Sequence, residues 1–237
     1  MSSYAKSILF ALSTAVICSL LLTAGAAGLK QRQLENIEVD KKRNILRAVG
    51  LLVNSAEIST QKIQEIYKQS IRSLWVSPDG QILDAATVPE KSLPIYLYVE
   101  DQQVAAYILP INTRGLWGKI FGYLAIERDG STVAGFTVYK HSETPGLGGE
   151  IEKEWFQRNF EGKQILDRTG NLVSVSIAKG YLPDSFPQEK LPNYVDGISG
   201  ATLTGKFLTA GLKEVLLEYE PVSIQFRSQQ TIQIEEP

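Results

Sequence analysis

The chain has 237 residues, of which 43% are hydrophobic and 21% are charged. This balance is ordinary for a globular protein and excludes a disordered chain. The 24 basic and 26 acidic residues give a net charge of −2, which excludes the strongly basic surface of a nucleic-acid-binding protein. One cysteine, Cys18, and one histidine, His141, permit neither an internal disulfide nor a cysteine-based or multi-histidine metal site. Any redox chemistry must therefore use a bound organic cofactor.

The first element is an apolar run of 22 residues without a charge, from Ile8 to Leu29. At 1.5 Å per residue, such a helix crosses a hydrocarbon core of about 30 Å. The sequence therefore predicts one transmembrane helix after a short tail, residues 1–7. The alternative is a cleaved signal peptide with Ala24-Gly25-Ala26 as its cleavage site. We favour a retained anchor, because the run is long and continues into a charged helical stretch.

Helical patterns follow the anchor. Residues 30–50 place apolar side chains on one face and predict a helix that continues out of the membrane. Residues 55–75 repeat the helical spacing, and residues 77–80, Ser-Pro-Asp-Gly, predict a turn. We expect residues 30–90 to form a helical stalk and the first part of the region beyond the membrane. Counting Lys and Arg across the anchor places the large domain on the inner side.

Strand patterns dominate the next part of the chain. One predicted hairpin has strands at residues 95–99 and 104–108, joined by a Glu-Asp-Gln-Gln turn. A second hairpin has strands at residues 121–126 and 133–139, and its connection contains an Asp-Gly pair typical of tight turns. Both hairpins predict an antiparallel sheet.

The last third of the chain mixes both patterns. A short helix is predicted at residues 151–159 and a strand at residues 172–177. Residues 203–219 carry apolar side chains on one face and predict an amphipathic helix that ends before Pro221. The tail from Val222 is strand-like and then polar.

The predicted fold class is α+β. It comprises a single N-terminal transmembrane helix, a helical stalk, and one mixed domain with an antiparallel sheet and a C-terminal amphipathic helix. We expect this domain to span residues 91–227 and a polar tail to follow at residues 228–237.

The most informative segment, Asp196-Gly197-Ile198-Ser199-Gly200-Ala201-Thr202, lies directly before the last predicted helix. A helix N-terminus leaves free N–H groups and the positive end of the helix dipole, which together attract phosphate. A site for a phosphate-bearing cofactor is therefore one interpretation. The other is a plain helix cap, since Asp, Ser and Thr are common before helices. Physical reasoning alone favours the cap.

The same seven residues resemble the flavinylation motif of proteins that carry FMN on a threonine through a phosphodiester bond. The resemblance implies that Thr202 is the acceptor, whose hydroxyl displaces AMP from the pyrophosphate of FAD. Ser199 and Thr204 are competing hydroxyls outside the acceptor position. The resemblance also implies a separate flavin transferase, and the residues that it would recognise are Asp196, Gly197, Ser199, Gly200, Ala201 and Thr202.

Two further segments match proteins that carry this motif. Residues 141–149, His-Ser-Glu-Thr-Pro-Gly-Leu-Gly-Gly, resemble their ETPGLG loop. The other segment is residues 112–118, Asn-Thr-Arg-Gly-Leu-Trp-Gly, which contains Trp117. Without that resemblance, residues 141–149 are interpreted as a loop with a Pro-Gly turn, and Trp117 is interpreted as a core residue. The resemblance implies that Glu143 and Thr144 meet polar edges of the flavin, Leu147 packs on the ring and Trp117 forms an apolar wall. The predicted cofactor-binding residues are Trp117, Glu143, Thr144, Leu147, Gly148, Ser199, Gly200, Ala201 and Thr204.

These segments and the junction between anchor and stalk occur in one order across nearly the whole chain. Together they resemble the NqrC family, a component of the sodium-pumping NADH:quinone oxidoreductases. The sister family is RnfG, from the Rnf ferredoxin:NAD oxidoreductases, and the length and long stalk favour the NqrC family. Gly205 departs from the family pattern, which usually continues Thr-Ser after the acceptor.

The family implies a membrane-anchored electron carrier in the bacterial inner membrane, with FMN on Thr202 and other subunits of the complex as partners. It places the large domain on the outer face, contrary to the count of Lys and Arg. The chain has no Gly-x-Gly-x-x-Gly segment after a strand for NADH, and one uncharged helix offers no ion path. We therefore expect no complete enzymatic activity from this subunit alone. The competing hypothesis is a non-redox, membrane-anchored assembly subunit, in which the hydroxyl of Thr202 has no role. His141 is interpreted as structural rather than as a proton-transfer group.

Overall fold

The computed structural model describes residues 2–52, 58–83 and 88–228. Its main elements are a long N-terminal helix, a six-stranded antiparallel sheet and two C-terminal helices. The chain divides into two compact units, Met1–Asp40 and Lys41–Pro237. The predicted polar tail after Ser228 and the first three residues of the predicted helix 55–75 lie outside the described residues.

Helix α1 spans Ser3–Ala48 and confirms that the apolar run and the stretch after it form one helix. It is the one helix of the described residues that is long and apolar enough to cross a membrane, and no residue of its most apolar window is buried. Within this run, the hydroxyls of Thr14 and Thr23 donate to backbone carbonyls one turn earlier. These bonds satisfy polar groups that lipid cannot. The run is therefore a candidate membrane span.

The sheet contains both predicted hairpins. Its strands are ordered β2-β1-β3-β4-β5-β6, and every neighbouring pair is antiparallel. The longest strand, β4, lies in the middle of the sheet and continues past the predicted end at residue 108. The strands are β1 (Ile71–Val76), β2 (Ile82–Leu83), β3 (Leu93–Glu100), β4 (Gln103–Arg114), β5 (Lys119–Glu127) and β6 (Val133–Lys140).

The helix predicted at residues 55–75 ends early. Helix α2 covers Thr60–Ser70 and is capped by Ser59, whose side chain accepts a hydrogen bond from Lys62 N. From Ile71 the chain enters β1 and pairs with β3, with Ile71 opposite Tyr98. The prediction was wrong for residues 71–75, because Ile-Arg-Ser-Leu-Trp also suits a strand and the neighbouring strand supplies backbone hydrogen bonds.

The two faces of the sheet are covered by different helices. On one face, Tyr107 and Leu109 of β4 join a buried apolar cluster with Leu208 and Leu212 of helix α4, Thr202–Glu218. On the other face, Thr137 Oγ1 donates to the carbonyl of Asn44, so the end of α1 packs there. Helix α4 confirms the predicted amphipathic helix to within one residue. The sheet is thus buried on both sides.

The strand-like tail predicted from Val222 is instead helix α5, Glu220–Arg227. Pro221 lies in its first turn, where the missing N–H has no helical partner to lose. Val222 and Phe226, four residues apart, are both buried, and the Phe226 ring stacks on Tyr107 at a centroid distance of 4.3 Å. Ser223, next to Val222, is buried as well. A helix brings all three residues to one side, whereas a strand would point Ser223 to the opposite face.

The segment between β6 and α4 has little regular structure. The predicted helix 151–159 is broken into a 3-10 turn, Gly148–Glu152, the short helix α3, Glu154–Gln157, and a second 3-10 turn, Arg158–Phe160. The predicted strand 172–177 is reduced to β7, Ser176–Ile177, which pairs in parallel with β8, Tyr194–Val195. Ser174 has a φ of 72°, a left-handed conformation that interrupts a strand.

Candidate functional site

A cavity of about 300 Å³ opens at the N-terminal end of α4. This volume is at the lower end of the range for small-molecule sites. Its walls come from three segments that are distant in sequence: the connection from β4 to β5, the loop after β6, and the loop that leads into α4. The lining residues are Leu116, Trp117, Glu143, Thr144, Leu147, Gly148, Gly200, Ala201, Thr202, Leu203 and Thr204.

The connection from β4 to β5 contributes the apolar wall. Gly115 N donates to Gly118 O at 2.6 Å and closes a tight turn. A Cβ at Gly115 would lie 2.5 Å from Glu143 Oε1, so this position requires glycine. The turn leaves Trp117 69% exposed at the cavity, where an aromatic face is available to a ligand. The predicted role of Trp117 as an apolar wall is compatible with this position.

The loop after β6 is held by its own backbone. Leu147 N and Gly149 N both donate to Thr144 O, at 3.1 and 2.9 Å, and Gly146 has a φ of 74°. A Cβ at Gly148 would lie 2.5 Å from Thr204 Oγ1, so Gly148 allows the loop to approach α4. The loop presents the side chain of Leu147 at the cavity and turns Glu143 inward.

Glu143 joins the three segments. Its side chain is only 4% exposed. Oε1 accepts a hydrogen bond from Trp117 N at 3.0 Å, and Oε2 accepts one from Thr204 Oγ1 at 2.5 Å. Both oxygens act as acceptors, as expected of a carboxylate, and bonds to a charged acceptor are stronger than neutral ones. Glu143 is therefore both the polar floor of the cavity and the link between its walls.

His141 contacts the backbone of Glu143. Its Nδ1 accepts a hydrogen bond from Glu143 N at 3.0 Å, and its Nε2 lies 3.2 Å from Glu152 Oε2. The other oxygen of Glu152 accepts a bond from Lys153 Nζ at 3.0 Å. This bond from Lys153, together with that from His141, lowers the pKa of Glu152, although partial burial opposes the shift. These contacts agree with a structural role for His141.

The first half of the motif anchors its own loop. Asp196 Oδ1 accepts a hydrogen bond from Leu182 N at 2.7 Å, and Gly197 N donates to Gly180 O at 2.9 Å. A Cβ at Gly197 would overlap the carbonyl oxygen of Ala178. Asp196 and Gly197 therefore set the path of the chain into α4, and neither lines the cavity.

The second half of the motif is open. Ala201 occupies the N-cap of α4 and makes no side-chain capping bond, so the interpretation of the motif as a plain side-chain cap was wrong. Within the described part of the chain, the exposed side chain of Thr202 has no hydrogen-bond partner. Ser199 is also exposed but does not line the cavity, and Gly200 has a φ of 77°. Two residues beyond Thr202, Thr204 is 2% exposed and bonded to Glu143.

The structure brings together eight of the nine residues predicted to bind the cofactor, all except Ser199, and adds two that were missed. The two are Leu116, next to Trp117, and Leu203, next to Thr202. Leu203 is 51% exposed in the first turn of α4. The sequence did contain a signal for Leu203. It is an apolar residue directly after the threonine of the motif, and it lies off the buried face of the predicted helix.

The sheet, α4 and this cavity define an FMN-binding domain. The profile of the FMN-binding domain family matches residues 115–217, a range that contains all three segments of the cavity wall. The class of protein is thus a flavin-binding one.

The relatives narrow the class. The NqrC subunit of the Na⁺-translocating NADH-quinone reductase from Yersinia pestis is 32% identical over 85% of this chain and 84% of its own length. The same subunit from Pseudomonas aeruginosa is 32% identical over 86% of this chain and 88% of its own length. The crystal structure of this subunit from Parabacteroides distasonis has a TM-score of 0.67 at 30% identity, and the match covers 85% of this chain and 98% of that one. The chain belongs to the NqrC family of the Na⁺-translocating NADH-quinone reductases.

Proposed function

We propose that this subunit carries FMN on Thr202 Oγ1 through a phosphodiester bond and relays electrons between cofactors of neighbouring subunits in a membrane-bound NADH-quinone reductase. The observation that carries the proposal is the position of Thr202. Its hydroxyl is exposed at the N-terminus of α4, beside a cavity with apolar walls and a buried carboxylate. Family membership supports the reductase complex as the setting.

The surroundings of three hydroxyls favour Thr202 as the acceptor. Thr204 is buried and donates its proton to Glu143, so its oxygen is not accessible to a transferase. Ser199 is accessible but does not line the cavity. Thr202 alone of the three combines exposure with a place in the cavity wall.

The end of α4 suits the phosphate group. The helix has 17 residues, and within the described chain no side chain accepts from the N–H groups of its first turn. A phosphodiester keeps one negative charge, which the free N–H groups and the positive end of the helix dipole stabilise. Gly200 and Ala201 are small, so the backbone is open to close approach by the phosphate.

The rest of the cavity suits the flavin ring. Leu116, Trp117 and Leu147 provide apolar contact area, while Glu143 and Thr144 provide polar groups. FMN, when bound, supplies the capacity to accept and release electrons. The chain's own residues hold and orient the ring, and their charges influence its reduction potential. The residues present therefore fit FMN.

Maturation and location complete the proposal. A flavin transferase would use FAD as donor, with Asp196 and Gly197 shaping the loop, while Ser199, Gly200 and Thr202 meet the enzyme directly. The bond between Thr202 Oγ1 and the phosphorus of the FMN half of FAD forms as the pyrophosphate bond breaks, and AMP is the leaving group. We further propose that α1 is retained in the bacterial inner membrane as a single span, and that the FMN-binding domain, residues 91–227, lies on its outer face.

Intact mass analysis of the subunit purified from its native membrane tests the attachment. We expect the mass of the chain plus FMN less one water, and peptide mapping should localise the addition to the peptide that contains Thr202. The Thr202→Val chain, produced in the same cells, is the matched control and should have the unmodified mass. An unmodified wild-type chain from cells with an active flavin transferase would contradict the proposal and favour an assembly subunit.

A further inference from the structure

The hydrogen bonds of His141 determine which ring nitrogen carries the proton. A backbone N–H is only a donor, so Glu143 N, at 3.0 Å, requires a lone pair on Nδ1. The proton of a neutral ring must then lie on Nε2, where Glu152 Oε2 accepts it at 3.2 Å. Both neighbours therefore select the same tautomer, Nε2–H.

A second proton on the ring would disrupt this arrangement. It would bind to Nδ1 and face the Glu143 N–H, so that two donors would point at each other. The His141 side chain is 12% exposed, so solvent protons reach it. The backbone N–H of Glu143 would then lose its acceptor.

The effect reaches the cavity because Glu143 links its walls. The backbone of Glu143 is held by His141, and its side chain holds Trp117 N and Thr204 Oγ1. We propose that His141 is a positioning residue of the cavity, which holds the Glu143 carboxylate in place only while its ring is neutral. Proton uptake by His141 then loosens the loop after β6.

The charged groups around His141 support this coupling. From the 3-10 turn after the loop, Glu152 contacts Nε2, and Lys153 is bonded to the second oxygen of Glu152. From the loop itself, Glu143 contributes its backbone N–H to Nδ1, while its carboxylate is directed towards Trp117 and Thr204. The contacts of His141 thus connect the pair of Glu152 and Lys153 to the loop.

The tautomer can be measured without any variant. His141 is the only histidine in the chain, so the ring nitrogens of the full chain, produced without a histidine tag and held in detergent, give one set of signals in a ¹H–¹⁵N NMR spectrum. We expect a proton on Nε2 and a bare Nδ1 at about pH 8. A proton on Nδ1 at that pH would overturn the proposal.

Hydrogen exchange tests the coupling to the loop. Asparagine accepts hydrogen bonds from the backbone N–H two residues on, as His141 does, but it does not titrate. We would compare His141, His141→Asn and His141→Leu in the full chain, each with Thr202→Val so that no covalent flavin is present. The readout is exchange of the Glu143 amide at about pH 8 and about pH 5.5, on either side of the range in which histidine titrates, relative to its intrinsic rate.

We expect the His141 chain to lose about fivefold protection at the lower pH, the value of one typical hydrogen bond. His141→Asn should stay protected at both values, and His141→Leu should be unprotected at both. Equal pH responses in the His141 and His141→Asn chains would overturn the proposal. The inference bears on flavin binding only through the proposed function, but this test does not depend on it, because failure of flavin attachment would appear in the mass analysis instead.

Discussion

The two loops that form the cavity differ in how their polar groups are satisfied. The loop after β6, residues 141–149, is tied by its backbone, by His141 and by the bonds of Glu143 to Trp117 and Thr204. The loop before α4, residues 196–202, is anchored only in its first half, and Thr202 remains exposed without a side-chain partner in the described structure.

This difference separates two tasks. A loop with internally satisfied polar groups holds its shape, and such a loop can orient a ring without reorganisation. A loop with an open end admits an enzyme that must reach a hydroxyl. Under the proposed function, a modification site and a binding wall lie in one cavity, and their loops are stabilised to different degrees.

The largest effect is expected where the open loop ends. Thr202→Val should abolish covalent flavin completely, because Ser199 lies outside the cavity wall and Thr204 is buried, so neither of the neighbouring hydroxyls can replace it. The side chain is exposed, so the free energy of unfolding should change by no more than about 0.5 kcal/mol. Intact mass and urea unfolding, followed by tryptophan fluorescence of the full chain in detergent, measure the two quantities.

Thr204→Val is the matched control for that substitution. It removes a buried hydroxyl that donates to Glu143, so we expect a loss of about 1–3 kcal/mol in stability with flavin attachment retained. Flavin at the buried Thr204 of the Thr202→Val chain would show that exposure does not select the acceptor.

The two glycines of the motif loop should also differ. Gly197→Ala should cost about 3 kcal/mol or more, because its Cβ would overlap the Ala178 carbonyl oxygen and backbone must move. Gly200→Ala should cost about 1–2 kcal/mol, the price of a left-handed alanine, since its Cβ meets only the end of the flexible Leu147 side chain. Equal losses in urea unfolding would mean that both halves of the loop are equally anchored.

Glu143 tests the anchored loop. Glu143→Ala leaves Trp117 N and the hydroxyl of Thr204 without their acceptor, and we expect a loss of about 2–3 kcal/mol. Glu143→Gln keeps one acceptor oxygen and the shape of the side chain, so about 1 kcal/mol should be lost. If the two variants unfold at the same urea concentration, the carboxylate does not link the walls.

The smallest effect is expected at Glu152, at the edge of the same loop. Its side chain is 48% exposed, so solvent screening limits its ion pairs to about 0.5 kcal/mol. The hydrogen bond from Lys153 lowers its pKa from the ordinary value of 4.5. The contribution is therefore present above pH 4.5 and is lost as the pH falls through the lowered value.

The check is a comparison of thermal unfolding of the wild type and Glu152→Gln against pH. The wild type should be slightly more stable at neutral pH, and the two should converge in acid. A wild-type advantage that grows as the pH falls below 4.5 would contradict the lowered pKa of Glu152.

The local residue pattern predicted the secondary structure correctly where it was compatible with only one kind of element. The uncharged run from Ile8 and the alternating strands of the two hairpins have one simple solution each, and both are confirmed. Residues 71–75 suit a helix or a strand, and pairing with β3 decided for the strand. The tail from Val222 was decided by its packing against Tyr107, a residue far away in sequence.

The sequence by itself determined the long apolar N-terminal helix, the α+β class and the motif with Thr202 before an amphipathic helix, because all of these depend on residue types at short spacing. Tertiary structure alone decided that Glu143 meets Trp117 and Thr204, that His141 stands behind Glu143, and that Thr204 is buried while Thr202 is open. Such relations depend on how distant segments approach one another, and close packing at Gly115, Gly148 and Gly197 sets those distances.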